Sequence, residues 1–137
     1  MDKYAIDDRQ GIFFQGQIFD AYAKFESFIV QASKEIILID GYVDLFVLEQ
    51  LSRKKIGVSV QIFTEPKTKL SAMDIQKFNA QYPSLTVDYT TKMHDRFLII
   101  DNQTLYHIGA SLKDLGKKCF AFEVLESALI PSVLKNL

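Results

Sequence analysis

Cysteine, histidine and low-complexity segments are scarce in this chain, and their scarcity excludes several classes of protein. Cys119 is the only cysteine among the 137 residues, so no disulfide can form within the chain. With only two histidines beside that cysteine, a zinc site is not expected. No linker rich in Pro, Gly or Ser divides the sequence, and no apolar run approaches the roughly 20 residues that span a bilayer. We therefore expect no disulfide, no metal and no membrane insertion.

Cofactor-binding and export signals are also missing. The sequence contains neither a P-loop nor a glycine-rich dinucleotide fingerprint, so no cofactor is predicted. The polar start, Met1 to Lys3, does not resemble a signal peptide, which favours a cytoplasmic protein. The formal net charge is -1, so the chain as a whole is not attracted to nucleic acid or to an anionic membrane. Any affinity for phosphate must come from a local cluster of cations.

The composition, with 48% hydrophobic and 24% charged residues, is typical of a globular domain. Residues 1–10 are polar and are expected to be loosely ordered. Over residues 11–137, strands alternating with helices predict a single α/β domain with a mixed, mainly parallel β-sheet flanked by helices. The predicted strands are 11–14, 35–40, 58–63, 85–89, 97–100, 104–108 and 119–125. The predicted helices are 18–32, one capped by Asp44, one capped by Ser71 and a short one after Pro131.

The most informative segment is a predicted β-hairpin at residues 92–113. Asn accepts the left-handed backbone of a tight turn, so a two-residue loop at 102–103 is expected. That register places Arg96 opposite Gly109 and His94 opposite Ser111. Directly opposed residues share a face of the sheet, so the imidazole, the guanidinium and the hydroxyl are expected around one small hollow.

This set of side chains suits a phosphoryl group. His94 and Arg96 share a face because side chains alternate along a strand, and Asp95 then points to the other side. The guanidinium can bind two phosphate oxygens, and the hydroxyl of Ser111 can donate to a third. Further positive charge near this end of the hairpin comes from Lys92, Lys113, Lys117 and Lys118.

The hairpin resembles the signature of the phospholipase D superfamily, which reads His-x-Lys, four residues, Asp, and then Gly-Ser-x-Asn. His94, Asp101 and Ser111 match this pattern, and one extra residue separates Gly109 from the serine. The order of the preceding strands is also similar, so the resemblance covers roughly residues 18–125.

This resemblance implies a metal-independent phosphodiesterase. In the family, two copies of the motif face each other across a two-fold axis. One His attacks phosphorus to give a phosphohistidine, and the other protonates the leaving oxygen. Because this chain carries one copy, the resemblance implies a homodimer with His94 from each subunit. Small nucleases of the superfamily also carry one copy per chain, so a nucleic-acid phosphodiester is the favoured substrate.

The sequence departs from the family at two phosphate-binding positions. Arg96 stands at the family Lys, and Lys113 stands at the family Asn. Arg96, Lys113, Gly109 and Ser111 are therefore the expected phosphate contacts. Asp101 lies at the turn, where a structural role such as capping is expected. Glu123 either orients His94, as an acidic residue often does in the family, or is a surface carboxylate.

Two other interpretations remain open. The changes at residues 96 and 113 also fit a catalytically degenerate module that binds phosphate or nucleic acid and performs no turnover. The chain could instead be a structural interaction domain of a longer regulator. His107 is interpreted as a packed strand residue. Asp40, at the end of a strand, resembles the phospho-acceptor of a receiver domain, but the acidic pair expected beside it is missing.

Overall fold

The computed structural model describes residues 9–115, 117 and 119–137. Most of the predicted loosely ordered segment, 1–8, lies outside the described residues, as does Lys118. The strands are β1 (Gln10–Phe13), β2 (Glu35–Ile39), β3 (Ser59–Thr64), β4 (Leu85–Tyr89), β5 (Arg96–Ile100), β6 (Thr104–Ile108) and β7 (Phe120–Leu125). The helices are α1 (Ile18–Val30), α2 (Leu45–Leu51), α3 (Ala72–Gln81) and α4 (Ile130–Lys135).

The strands form one mixed sheet in the order β1-β7-β6-β5-β2-β3-β4. The prediction of a mixed α/β sheet flanked by helices is confirmed. Parallel pairing, which was expected to predominate, is confined to β2-β3 and β3-β4, and the remaining four pairings are antiparallel. The reason is that β5 lies antiparallel beside β2, and β6 lies antiparallel beside β5. Gln10, expected within the loosely ordered segment, is the first residue of β1 and pairs with Glu123 of β7.

The main core lies on one face of the sheet, beneath α1 and α2. Four buried side chains of α1, Ala21, Phe25, Phe28 and Ile29, recur at helical spacing and form its apolar face. Leu38 and Leu98 meet them from the centre of the sheet and are fully buried. The opposite face carries a smaller apolar cluster that includes Ile99, Leu105 and Ile130 of α4. Both faces of β2 are therefore covered, which explains its continuous apolar sequence.

Local capping signals position two of the helices. The side chain of Asp44 accepts a hydrogen bond from Val47 N at the start of α2, at 3.3 Å. Ser71 and Asp74 form a reciprocal capping box at the start of α3. None of the helices in the described ranges is long and apolar enough to cross a membrane.

The hairpin turn is displaced by one residue from its prediction. Ile100 pairs with Thr104, and Gln103 N donates to Ile100 O at 3.0 Å, so the turn is centred on residues 101–102. Asp101 and Asn102 both have a φ of 54°, in the left-handed region. Arg96 therefore opposes Ile108, which corrects the expected pairing of Arg96 with Gly109. A slip of one residue changes every partner along the hairpin.

Candidate functional site

An open cavity of about 760 Å³ lies at one edge of the sheet. The carboxyl ends of β2, β3 and β6 reach this edge, together with the amino end of the antiparallel β5. Its lining contains five cationic side chains, Lys67, Lys69, Arg96, Lys113 and Lys117. Two carboxylates, Asp44 and Asp114, also line it, so positive charge predominates in a protein whose net charge is -1. We call this cavity the basic cavity.

Arg96 begins β5 and is half-buried in the lining. Alternation along the strand places its side chain on the α1/α2 face, with Leu98 and Ile100. The Nε atom of Arg96 is buried and has no hydrogen-bond partner within the described residues. A buried donor without a partner is costly, and an anion in the basic cavity would offer it one. Arg96 thus lines an open cavity that is larger than a single anion requires. That it contacts an anion there stays a prediction, and its predicted cross-strand partner was wrong.

Asp40 lies behind the basic cavity at the end of β2 and is completely buried. It accepts hydrogen bonds from Tyr42 N at 3.0 Å and Leu112 N at 2.9 Å. Burial raises the pKa of this carboxyl above its ordinary value, and the hydrogen bonds and the positive charge of Arg96 oppose the rise only in part. The positive charge of Arg96 thus acts on this carboxyl, although the two side chains form no ion pair in the described structure.

Ser111 is held by the same carboxylate. Its Oγ lies 3.0 and 3.1 Å from the two carboxylate oxygens of Asp40 and 3.2 Å from Tyr42 O. Ser111 is buried, yet it belongs to the lining of the basic cavity with Arg96. Arg96 and Ser111 therefore line one cavity, and Asp40 holds Ser111 in its place there. Cross-strand pairing does not bring them together, because Ser111 lies beyond the last β6 residue of the ladder.

His94 does not join this group. It lies in the connection before β5, so the expected pairing of His94 with Ser111 is not present. Its side chain is exposed and makes no hydrogen bond to the described part of the chain, and it is not among the residues that line the basic cavity. The hairpin turn explains the difference, since the shifted register starts the ladder at Arg96. A lone chain therefore carries the imidazole outside the cavity.

Glu123 contacts the other histidine. Its Oε1 lies 3.5 Å from His107 Nδ1, and Asp95 Oδ1 lies 3.5 Å from His107 Nε2. The ring of His107 also packs against Phe97, with centroids 5.4 Å apart. These contacts lie on the opposite face of the sheet from Arg96, because Phe97 and Arg96 are consecutive in β5. The structure thus places Glu123 beside His107 and not beside His94.

Lys113 and Gly109 both line the basic cavity, as expected of phosphate contacts. Lys113 Nζ lies 3.3 Å from both carboxylate oxygens of Asp114 and 5.9 Å from the centroid of the Tyr42 ring. Gly109 N donates to Ala121 O at 2.8 Å. A Cβ at residue 109 would lie 3.4 Å from that carbonyl oxygen, so the strand packing favours glycine there.

Asp101 lies far from the basic cavity, at the opposite end of β5. Its carboxylate accepts hydrogen bonds from the amides of Ser33, Lys34 and Glu35 and from the Ser33 hydroxyl. Partial burial raises the pKa of Asp101, but these hydrogen bonds lower it by more, to about 2. The carboxylate therefore anchors the hairpin turn to the segment that precedes β2. No three His, Cys, Asp or Glu side chains in the described ranges are grouped so that they could hold a metal ion.

Comparison with known proteins finds the same architecture in solved structures. NucT from Helicobacter pylori has a TM-score of 0.64 and 13% identity, over 93% of this chain and 92% of that one. The phospholipase D family member Nuc from Salmonella typhimurium has a TM-score of 0.59 and 19% identity, over 92% and 90%. The archaeal chromatin protein TrmBL2 has a TM-score of 0.58 and 15% identity, over 93% of this chain and 50% of that one.

The chain has a phospholipase D fold. No protein-family model matches its sequence, and a search among curated proteins finds no match. The resemblance of the hairpin to this superfamily is thus confirmed at the level of the fold.

Sequence reasoning missed several residues in and around the basic cavity of this phospholipase D fold. Asp40 was considered only as a receiver-type acceptor, although a carboxylate ending a fully apolar strand is itself a signal of a buried polar contact. Lys67 and Lys69 lie in the loop after β3, whose position beside residues 42–43 depends on Thr68. The Thr68 hydroxyl donates to Val43 O, and Val43 N donates back to it at 3.1 Å. Nothing in the local sequence pattern predicts this long-range contact.

Proposed function

We propose that this domain binds the phosphate groups of a phosphodiester in the basic cavity, with Arg96 as the principal contact. The observation that carries the proposal is the buried Nε of Arg96, which lacks a partner in the described part of the chain and belongs to a lining with four lysines. Arginine matches phosphate oxygens with several donors at once, and the surrounding lysines add attraction at longer range. Asp40 holds the hydroxyl of Ser111 and the loop at 111–112 around the same space.

The likeness of the fold to a chromatin protein described as DNA-binding, and to the two Nuc proteins, supports nucleic acid as the ligand to test first. A short fluorescent single-stranded oligonucleotide at low salt is a suitable probe, read by anisotropy. Binding should weaken as salt rises, because displaced counterions are released on association. Arg96→Ala should weaken binding roughly ten- to hundredfold, as expected for lost charge-assisted hydrogen bonds.

Lys77→Ala is the matched control for this experiment. Lys77 is exposed on α3 and does not line the basic cavity, so its removal changes the net charge equally. If Arg96→Ala and Lys77→Ala lowered the affinity equally, the loss would reflect the change in net charge and not a contact of Arg96 with the ligand. Absence of salt-sensitive binding by the wild-type protein would refute the proposal.

A second candidate function is hydrolysis of the bound phosphodiester by His94. The observation in its favour is that this imidazole is exposed and free of hydrogen bonds within the described residues, two positions before Arg96. In the mechanism implied by the family, His94 of one subunit attacks phosphorus and the bond to the leaving oxygen breaks. His94 of a second subunit protonates that oxygen, and water then cleaves the phosphohistidine. Such a site requires a homodimer that brings both imidazoles to the basic cavities.

Hydrolysis is tested with a chromogenic phosphodiester and with single-stranded DNA in the presence of a chelator. Wild-type protein should turn over both, and His94→Ala should abolish turnover while leaving oligonucleotide binding within a fewfold of the wild type. Activity that survives His94→Ala, or that needs a divalent metal, would rule out this mechanism. Sedimentation should detect a dimer at the active concentration. Binding without turnover would favour the degenerate, regulatory module.

A further inference from the structure

Tyr42 is a large aromatic side chain at the rim of the basic cavity, and 53% of it is exposed. Its backbone, in contrast, is held on both sides. Tyr42 N donates to Asp40 Oδ1 at 3.0 Å, and Tyr42 O lies 3.2 Å from Ser111 Oγ. The next residue, Val43, exchanges hydrogen bonds with the Thr68 side chain. The ring is thus presented to solvent from a well-anchored backbone.

One cationic side chain lies over this ring, and others line the same cavity. Lys113 Nζ lies 5.9 Å from the ring centroid, and Lys67 and Lys69 flank Thr68 on the adjacent loop. All three lysines line the same cavity as Arg96. An exposed aromatic ring among cations is the arrangement by which proteins bind single strands, since bases stack on the ring and phosphates meet the cations. Half of the side chain remains accessible in spite of Lys113, so a base has room to approach it.

The size of the cavity also favours a ligand larger than one phosphate group. A volume of about 760 Å³ falls within the range of sites that hold whole small molecules, so it is larger than one phosphate group requires. With five cations and two carboxylates in the lining, its positive charge still exceeds what one phosphodiester charge would need. A ligand with several phosphates and flat groups between them would use both the charge and the ring.

We propose that Tyr42 is a base-stacking residue, and that the ligand of the basic cavity is therefore single-stranded nucleic acid. This inference rests on the proposed phosphodiester binding, and it adds that the bases contribute to affinity.

The test compares a short single-stranded oligonucleotide with an abasic oligonucleotide that carries the same number of phosphates. Wild-type protein should bind the base-containing strand about tenfold more tightly, the order expected for one stacked base. Tyr42→Ala should remove this preference and leave binding of the abasic strand unchanged. Tyr42→Phe, which keeps the ring, should retain the preference. Arg96→Ala should weaken binding of both strands, because it acts on the phosphates.

Tyr89→Ala is the matched control, since Tyr89 is also 53% exposed but does not line the basic cavity. It should leave the preference intact, and thermal unfolding should show that all variants are folded. Equal wild-type affinity for both strands would overturn the role of Tyr42 while leaving phosphodiester binding standing. Absence of binding to either strand would overturn both proposals. Competition by glycerophosphoglycerol as effective as that of the oligonucleotide would also overturn a nucleic-acid ligand.

Discussion

The carboxylate of Asp101 should make a measurable and pH-dependent contribution to stability. It accepts hydrogen bonds from Lys34 N at 2.7 Å, Glu35 N at 3.0 Å and Ser33 N at 2.9 Å, and it also accepts one from the Ser33 hydroxyl. Asp101→Asn is the informative change. Asparagine tolerates the left-handed φ of 54° at this residue, so the turn itself is not strained. The amide, however, places an NH₂ group where an oxygen accepted from Ser33.

The magnitude follows from the pKa of Asp101, which the hydrogen bonds lower from 3.8 to about 2. That difference corresponds to about 2.4 kcal/mol of preference for the charged form in the folded state. Solvent screens part of this interaction because the residue is partly exposed, so we expect a contribution of about 1 to 2 kcal/mol at pH 7.

The pH dependence has a definite sign. The pKa of Asp101 is lower in the folded than in the unfolded chain, so the unfolded chain binds more protons between the two values. The stabilisation is therefore present above about pH 4 and is lost as the pH falls toward about 2. The free-energy difference between wild type and Asp101→Asn should shrink over this interval.

Urea unfolding at neutral pH and at several values down to about pH 3 measures this difference. Glu49→Gln is the control, because Glu49 is exposed on α2 and its side chain makes no hydrogen bond in the described structure. It should change stability by less than about 0.5 kcal/mol at every pH. A difference for Asp101→Asn that stays constant as the pH falls would refute the reasoning, as would one no larger than that of the control.

Three further changes test other buried or capping contacts. Asp40→Ala should lower the free energy of unfolding in urea by about 3 kcal/mol, because it leaves Tyr42 N and Leu112 N buried without acceptors. Asp40→Asn should lower it by less, because one oxygen acceptor remains. Lys54→Met should cost about 1 to 2 kcal/mol in the same assay, because buried Lys54 Nζ donates to Val58 O and Pro83 O. Ser71→Ala should lower the thermal midpoint by removing about 1 kcal/mol of helix capping.

The parts of the fold that were predictable from the sequence are those set by local signals. The apolar periodicity of α1, the cap at Asp44 and the capping box at Ser71 each act within a few residues, and each is present in the structure. The order of the strands in the sheet depends on contacts between distant parts of the chain. The sequence indicates strands but does not say that β5 pairs with β2, so parallel pairing was overestimated. The position of Lys67 and Lys69 likewise depends on a contact of Thr68 with a segment 25 residues away.

The carboxylate of Asp101 lies in the displaced hairpin turn, and this displacement changes which residues of the predicted site face each other. The prediction used Asn102 as the first loop residue and left Asp101 in the ladder. Three amides of residues 33–35 instead draw Asp101 out of the ladder into the left-handed turn, and every cross-strand pair moves by one residue. The expected meeting of His94 with Ser111 is lost for this reason, while the relation between Glu123 and His107 arises from the pairing of β6 with β7.

Arg96 and Ser111 share a cavity in spite of the wrong register, and Asp40 fixes the position of Ser111 in it. This carboxylate binds the Ser111 hydroxyl and Leu112 N from one side, and it faces the charge of Arg96 from the other. Arginine presents more donors to phosphate oxygens than lysine does, which gives a physical reason for arginine where the family pattern has lysine. His94, in contrast, lies outside the basic cavity in one chain. Under the proposed mechanism, an enzyme would need a dimer that brings His94 to the cavity, whereas a phosphate-binding module would not.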